Sequence, residues 1–157
     1  IFLAQECIKI LREEHTQILS LLDALDVAVS GCAVNKEGVE KFLHFTENFA
    51  EPHHKKEEDV LFPALEAKGI PRDGGPTGVM LSEHQEKRNY VKGLRLALQN
   101  GDDKEMKRNG LSIVNLMRSH IDKENNILYP MAEQLLSAED LAELAAKCEC
   151  ECHHHSH

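Results

Sequence analysis

Four histidines and two glutamates interrupt otherwise apolar stretches of this chain: His15, His53, Glu57, His84, His120 and Glu124. Four of them form two His-x-x-x-Glu pairs, His53 with Glu57 and His120 with Glu124. Residues four apart share a helix face with Cβ atoms roughly 6 Å apart, so each pair can turn an imidazole nitrogen and a carboxylate toward one small centre. Unpaired carboxylates in an apolar stripe would cost several kcal/mol each and would protonate rather than stay charged. A pair of divalent cations removes that penalty. Imidazole with carboxylate suits Fe, Mn, Zn or Co, and the lack of a thiolate in the set argues against a structural zinc knot. Six ligands exceed one tetrahedral site. The pattern therefore predicts a dinuclear centre with Glu57 and Glu124 as bridges.

The elements that must position these residues are helices. Gly31, the stretch GIPRDGGPTG from Gly69 to Gly78, and Gly101 cut the chain into segments of roughly 2–30, 36–67, 77–99 and 104–133. Each carries apolar residues at three- and four-residue steps. These are Ala4, Ile8, Leu11, His15, Ile18, Leu22, Leu25 and Val29 in the first, and Val39, Phe42, Phe49, His53, Glu57, Val60 and Ala64 in the second. The third has Met80, His84, Val91, Leu94 and Leu98, and the fourth has Met106, Ile113, Leu116, His120, Glu124, Ile127 and Met131. Period-2 strand patterns are hard to find. Segments of this length span ~35–48 Å and are mostly joined by short connections, so the expected fold is all-α, an up-down-up-down four-helix bundle. In that arrangement the six residues share one layer about 10 Å thick, enough for two metal ions.

Residues 53–63, HHKKEEDVLFP, align without a gap to residues 120–130, HIDKENNILYP. Two helices thus present one device. Pro63 and Pro130 each remove a backbone donor late in a helix and are expected to kink its last turns. Residues 1–135 are expected to form the bundle, and 136–157 a short helix opened by the capping sequence Ser137-x-x-Asp140 and followed by a Cys/His-rich tail.

Composition narrows the class further. A net charge of −9 disfavours nucleic acid and anionic membranes as partners, since binders of either cluster Lys and Arg. No run of 18 apolar residues occurs, so no membrane-spanning helix is expected. Five cysteines, three of them in the terminal CECECHHHSH, do not read as a disulfide framework, and the first segment does not read as a signal peptide. The expectation is a soluble cytoplasmic protein. The tail reads either as a metal-seeking segment or as a flexible end.

His15, His53-x-x-x-Glu57 within HHKKEEDVLFP, His84 within SEHQEKRNYV, and His120-x-x-x-Glu124 followed by Ile-Leu-Tyr-Pro together resemble the hemerythrin-like HHE cation-binding family. The resemblance runs to about residue 135. It implies a four-helix bundle with a non-haem centre of two iron ions, oxo- or hydroxo-bridged, with Zn or Mn as substitutes and a small diatomic or peroxide ligand as partner. Oxygen-carrying members have His-x-x-x-His on the third helix and His-x-x-x-x-Asp on the fourth. Here Arg88 follows His84 by four residues and Glu124 follows His120 by four, a pattern closer to bacterial HHE proteins, an iron-sensing hemerythrin domain and iron–sulfur repair proteins.

Iron-sensing relatives use an extra ligand one position after the second-helix histidine, which places His54 among the candidate ligands. The other reading of His54 is a partly exposed neighbour pairing with Glu58. Arg88 is either a salt link to a ligand carboxylate or solvent-facing, and His44 is expected outside the layer. The functional expectation is binding or sensing of O2, NO or peroxide at a di-iron centre. The alternative is metal storage or iron sensing without redox turnover, and whether the protein is an enzyme stays open.

Overall fold

Helical periodicity dominates the chain because its apolar residues recur at 3.6-residue spacing while strand-forming residues are scarce. A computed structural model describes the backbone of residues 2–155 and the side chains of residues 7–148. It contains five helical rods and, among the described residues, no strand. Helix α1 is Phe2–Ser30. Helix α2 covers 36–67 as α-helical pieces Lys36–Phe45, Glu51–Lys56 and Phe62–Ala67, joined by π-helical turns Thr46–Ala50 and Glu57–Leu61. Helix α3 is Pro76–Asn100. Helix α4 covers 103–135 as Asp103–Lys123, the π-turn Glu124–Leu128 and Tyr129–Leu135. Helix α5 is Ala138–His155. No described helix is long and apolar enough to cross a membrane.

The boundaries follow local chemistry. Asn35 caps α2 by accepting from the Gly38 amide, and Asp102 caps α4 by accepting from the Glu105 amide. Gly101 closes α3 in the left-handed region, at φ 65°. Before α5, the Asp140 amide donates to Ser137 Oγ while the Ser137 amide donates to Asp140 Oδ2, the reciprocal capping box that Ser137-x-x-Asp140 predicts.

The three π-turns share a cause. Each ends one residue before an X-Pro step: Glu51-Pro52, Phe62-Pro63 and Tyr129-Pro130. Proline offers no N–H, and its ring collides with the carbonyl four residues back in a regular α-helix. A π-turn widens the helix locally. Phe62 accordingly donates to the Glu57 carbonyl and Tyr129 to the Glu124 carbonyl, both i→i−5. The device at Pro63 and Pro130 is thus a widened turn that begins at each candidate bridging glutamate.

Widening also shifts the phase of the stripe. Ile127, assigned to the core by periodicity, is 57% exposed, while Leu128 is buried. The extra residue in the turn rotates Leu128 inward in its place.

Two apolar clusters flank the polar layer. One gathers Ile18, Leu22, Leu25, Val29, Phe42, Leu94, Met106 and Ile113 with their neighbours. The other gathers Ile8, Leu11, Leu61, Phe62, Leu65, Met80, Leu128 and Tyr129, and α5 seals it with Leu144, Ala145 and Cys148. Gly110 brings α4 close to α1, since a Cβ there would meet Val29 Cγ1 at 2.9 Å. The cysteine reading needs correction here: Cys7 is disulfide-bonded to Cys148, across a Cα separation of 6.4 Å. Packing of α5 on α1 creates this pair from residues 141 apart in sequence, which spacing alone does not reveal. Cys32 is free and exposed. The side chains of the tail beyond Cys148 lie outside the described residues.

The phase shift makes a direct prediction. Leu128→Ala should destabilise the protein by about 2–5 kcal/mol, the usual cost of such a truncation in a core. Ile127→Ala should stay within about 0.5 kcal/mol, as exposed positions do. Urea denaturation of both variants checks it, and equal costs would refute the shift.

Candidate metal centre

All six stripe residues are brought together, none more than 1% exposed. They form two groups, His15, His53, Glu57, Glu124 and Glu57, His84, His120, Glu124, and within each group the ligand atoms all lie within 4.8 Å of one another. Both glutamates belong to both groups. His15 Nε2 is 2.9 Å from Glu124 Oε1, and His120 Nε2 is 3.2 Å from Glu124 Oε2. On the other acid, His53 Nε2 and His84 Nε2 lie 3.4 Å and 3.5 Å from Glu57 Oε1.

What faces the interior is decided by what holds the rings from outside. His53 Nδ1 donates to Glu14 Oε1 at 2.9 Å, His84 Nδ1 to Glu58 Oε2 at 2.7 Å, and His120 Nδ1 to Glu83 Oε1 at 2.9 Å. His15 Nδ1 donates to Asn125 Oδ1 at 2.8 Å. With the proton on Nδ1, each neutral imidazole turns an Nε2 lone pair inward. His84 Nε2 and His120 Nε2 then face one another at 3.1 Å, lone pair to lone pair.

The outer acceptors are fixed in turn by cations. Lys56 reaches Glu14, Arg88 reaches Glu58, Lys123 reaches Glu83, and Arg12 donates to the Asn125 carbonyl. Sequence reasoning missed this shell, yet it carries a signal. Glu14, Glu58, Glu83 and Asn125 each adjoin a candidate ligand in sequence, and each serves a histidine on a different helix.

With the rings neutral, the inner faces are short of donors. Among the described residues, the buried side-chain atoms without a hydrogen bond are His53 Nε2, His54 Nδ1, Glu57 Oε1 and both carboxylate oxygens of Glu124. Every one belongs to this layer. Native proteins leave few such atoms, so a cluster of them must have a physical cause. A donor set of imidazole lone pairs and carboxylate oxygens fits divalent cations of the Fe, Mn or Zn type. Tyr129, also missed, supplies one hydroxyl: it donates to Glu57 Oε2 at 2.7 Å and lies 3.2 Å from His15 Nε2.

In the metal-free state, protons take the place of cations. Burial works against a charged His120, but the Glu124 carboxylate and the bonds to Glu124 and Glu83 outweigh it and raise His120 to about 10. Burial opposes charge on His15 and His84 too, but Glu124 and then Glu57 raise His15, and Glu57 and Glu58 raise His84. Burial pushes Glu57 and Glu124 up, and the facing imidazoles more than reverse this, holding both below the usual carboxylate value.

His54 behaves differently. It is buried, against the partly exposed reading, and Glu58 pairs with His84 and Arg88 rather than with it. It lies outside both groups: its Nδ1 is 3.9 Å from Glu57 Oε1, and its Nε2 is 3.1 Å from Lys87 Nζ. Burial, then the charges of Lys87 and His84, push His54 well below its ordinary value. Lys87, buried and also missed, is drawn by desolvation down to about 8. Its position was readable, because 84, 87, 91 and 94 continue the stripe of α3. Arg88 sits between the two readings given to it, bonded to Glu51 and Glu58 rather than to a candidate ligand. His44 is exposed, facing Asn48 as expected of a residue outside the layer.

A helical bundle with two overlapping histidine–carboxylate groups at its centre defines a class of cation-binding helical domains. The profile of the Hemerythrin HHE cation binding domain matches residues 7–132, and the chain belongs to that family. Among curated proteins it is similar to the iron-sulfur cluster repair protein YtfE of Salmonella newport (strain SL254), Salmonella heidelberg (strain SL476) and Salmonella agona (strain SL483). Each is 32% identical over 104 residues, covering 60% of this chain and 47% of the relative. The chain thus spans about half the length of these relatives.

The raised imidazole sets a pH dependence. A group raised in the folded state stabilises fully below its unfolded value, near 6.5, and this contribution is lost as pH rises through about 10. Metal-free protein should therefore lose His120-dependent stability between those limits. Thermal unfolding across that range should show a shallower decline for His120→Gln than for the parent. Parallel curves would contradict the assignment.

Proposed function

We propose that the chain is a hemerythrin-like domain that holds two iron ions in this layer and interacts with O2, NO or peroxide there, with α1 to α4 alternating in direction around it. His15 and His53 would hold one ion and His84 and His120 the other, with Glu57 and Glu124, which belong to both groups, available to each. A cytoplasmic setting belongs to the same proposal. The observation that carries the reading is the set of buried inward-facing atoms without hydrogen bonds, flanked by four imidazoles whose outer nitrogens are all engaged. Iron is favoured over other divalent ions by membership of the family and by the similarity to proteins named for iron–sulfur cluster repair.

When bound, an iron pair supplies redox change and open coordination positions, and the protein supplies everything else. The Nδ1 bonds to Glu14, Glu58, Glu83 and Asn125 keep the four imidazoles in the ligating tautomer and restrict their rotation. Tyr129 holds Glu57 through one oxygen, leaving the other to face the layer. The apolar clusters on either side exclude water from it.

Elemental analysis after anaerobic iron loading should find two ions per chain, and Glu57→Ala should abolish loading of the pair. Glu14→Ala should weaken metal affinity by about 10- to 100-fold, the usual effect of losing such an outer partner. Exposure of the loaded protein to air should produce a near-ultraviolet charge-transfer band. An unchanged spectrum with iron still bound would favour storage, and a chain that binds no metal would end the proposal.

A further inference from the structure

The echo between 53–63 and 120–130 extends in three dimensions to the other two helices. His53 and His120 are held by Glu14 and Glu83, and His15 and His84 by Asn125 and Glu58. The pair α1 and α2 is therefore matched, position by position, by α3 and α4. His15 corresponds to His84, Glu14 to Glu83, Glu57 to Glu124, and Glu58 to Asn125.

This internal match provides a control for every other residue near the centre. By the same offsets His54 corresponds to Ile121 and Lys87 to Ile18, and both isoleucines are buried in the apolar core. The fold thus closes this position with hydrocarbon in one half. In the other half it buries an imidazole and an amine, which is costly without a compensating role. The exchange is not required by packing.

The geometry of the exchanged pair is specific. Lys87 Nζ donates to Thr46 Oγ1 at 2.6 Å and lies 3.1 Å from His54 Nε2. An ammonium has donors and no acceptor, so the contact requires a lone pair on His54 Nε2 and places the ring proton on Nδ1. That Nδ1 has no hydrogen-bond partner, is fully enclosed, and points to the layer with Glu57 Oε1 3.9 Å away. The His54 ring lies over that of His84, at a centroid distance of 4.2 Å.

We propose that Lys87 is a positioning residue that fixes the tautomer of His54, so that His54 aims an Nδ1–H donor into the centre on the His84 side and does not serve as a fifth nitrogen ligand. Its acceptor is a small ligand bearing oxygen or negative charge that enters the centre there. The opposite half has Ile18 and Ile121 in the equivalent places, and the Tyr129 hydroxyl on that side already donates to Glu57 Oε2. The acceptor part of this inference rests on the metal-centre reading. The tautomer part does not.

The test is a two-bond 1H–15N correlation experiment on the full chain labelled with 15N-histidine. In metal-free protein, His54 should carry its proton on Nδ1. Lys87→Met should abolish that preference, and Lys87→Gln, whose amide keeps a donor, should restore it. A proton on Nε2 in the parent protein, or an unaltered pattern in Lys87→Met, overturns the proposal, and the parent spectrum decides even if a variant fails to fold. Loading with zinc alone should convert Nε2 of His15, His53, His84 and His120 to metal-bound nitrogens while His54 keeps its Nδ1 proton. Loss of that proton to zinc makes His54 a ligand and overturns the proposal while the metal-centre reading stands. If zinc leaves all five rings unchanged, the metal-centre reading fails and takes the acceptor with it, and the metal-free spectra still decide the tautomer.

Discussion

The structure depends on a repulsion: two buried carboxylates and the lone pairs of four imidazoles are pressed together at the centre of the bundle. In an apolar interior such a group of acceptors is stable only if positive charge is shared among them. Protons provide it in the metal-free state, which is why three of the imidazoles hold theirs so firmly. Two divalent cations would provide it more completely, reaching both carboxylates and all four nitrogens at once. Hydrogen bonds from outside enforce the conflict, since engaging each Nδ1 leaves each ring no choice about what it turns inward.

The outer shell makes the arrangement collective. Glu14 on α1 serves a ring on α2, Glu58 on α2 serves one on α3, Glu83 on α3 serves one on α4, and Asn125 on α4 serves one on α1. Each of these four helices therefore supplies a candidate ligand to the centre and an anchor for its neighbour's histidine. A basic side chain fixes each of the three carboxylate anchors, and Arg12 holds the backbone carbonyl of Asn125. Displacing one helix would disturb two rings. The centre and the bundle thus hold each other in register.

The backbone contributes through proline. Pro63 and Pro130 sit six residues beyond Glu57 and Glu124, and the helix accommodates them by widening the turns that those glutamates open. The same phase change carries Tyr129 into hydrogen-bonding distance of Glu57, whereas its counterpart Phe62 only stacks near His84, at 5.9 Å. Two nearly equivalent halves therefore differ at defined points: a tyrosine hydroxyl beside His15, and the His54–Lys87 pair beside His84. Those differences set the His15 side of the centre apart from the His84 side.

Much of this is legible without coordinates. Helix limits, the capping box before α5 and the six central residues all follow from spacing, because a polar group inside an apolar stripe is too costly to keep unless it binds something there. Lys87 lies on the same periodic series and carries the same signal. Ile127 falls in the core by simple periodicity, which ignores the residue that a π-turn adds. Which carboxylate anchors which histidine, the pairing of Cys7 with Cys148, and the side toward which His54 faces were decided only by tertiary structure. The reason is physical: periodicity along one helix determines that a side chain points inward, but the partner it meets there belongs to another helix, and only packing brings the two together.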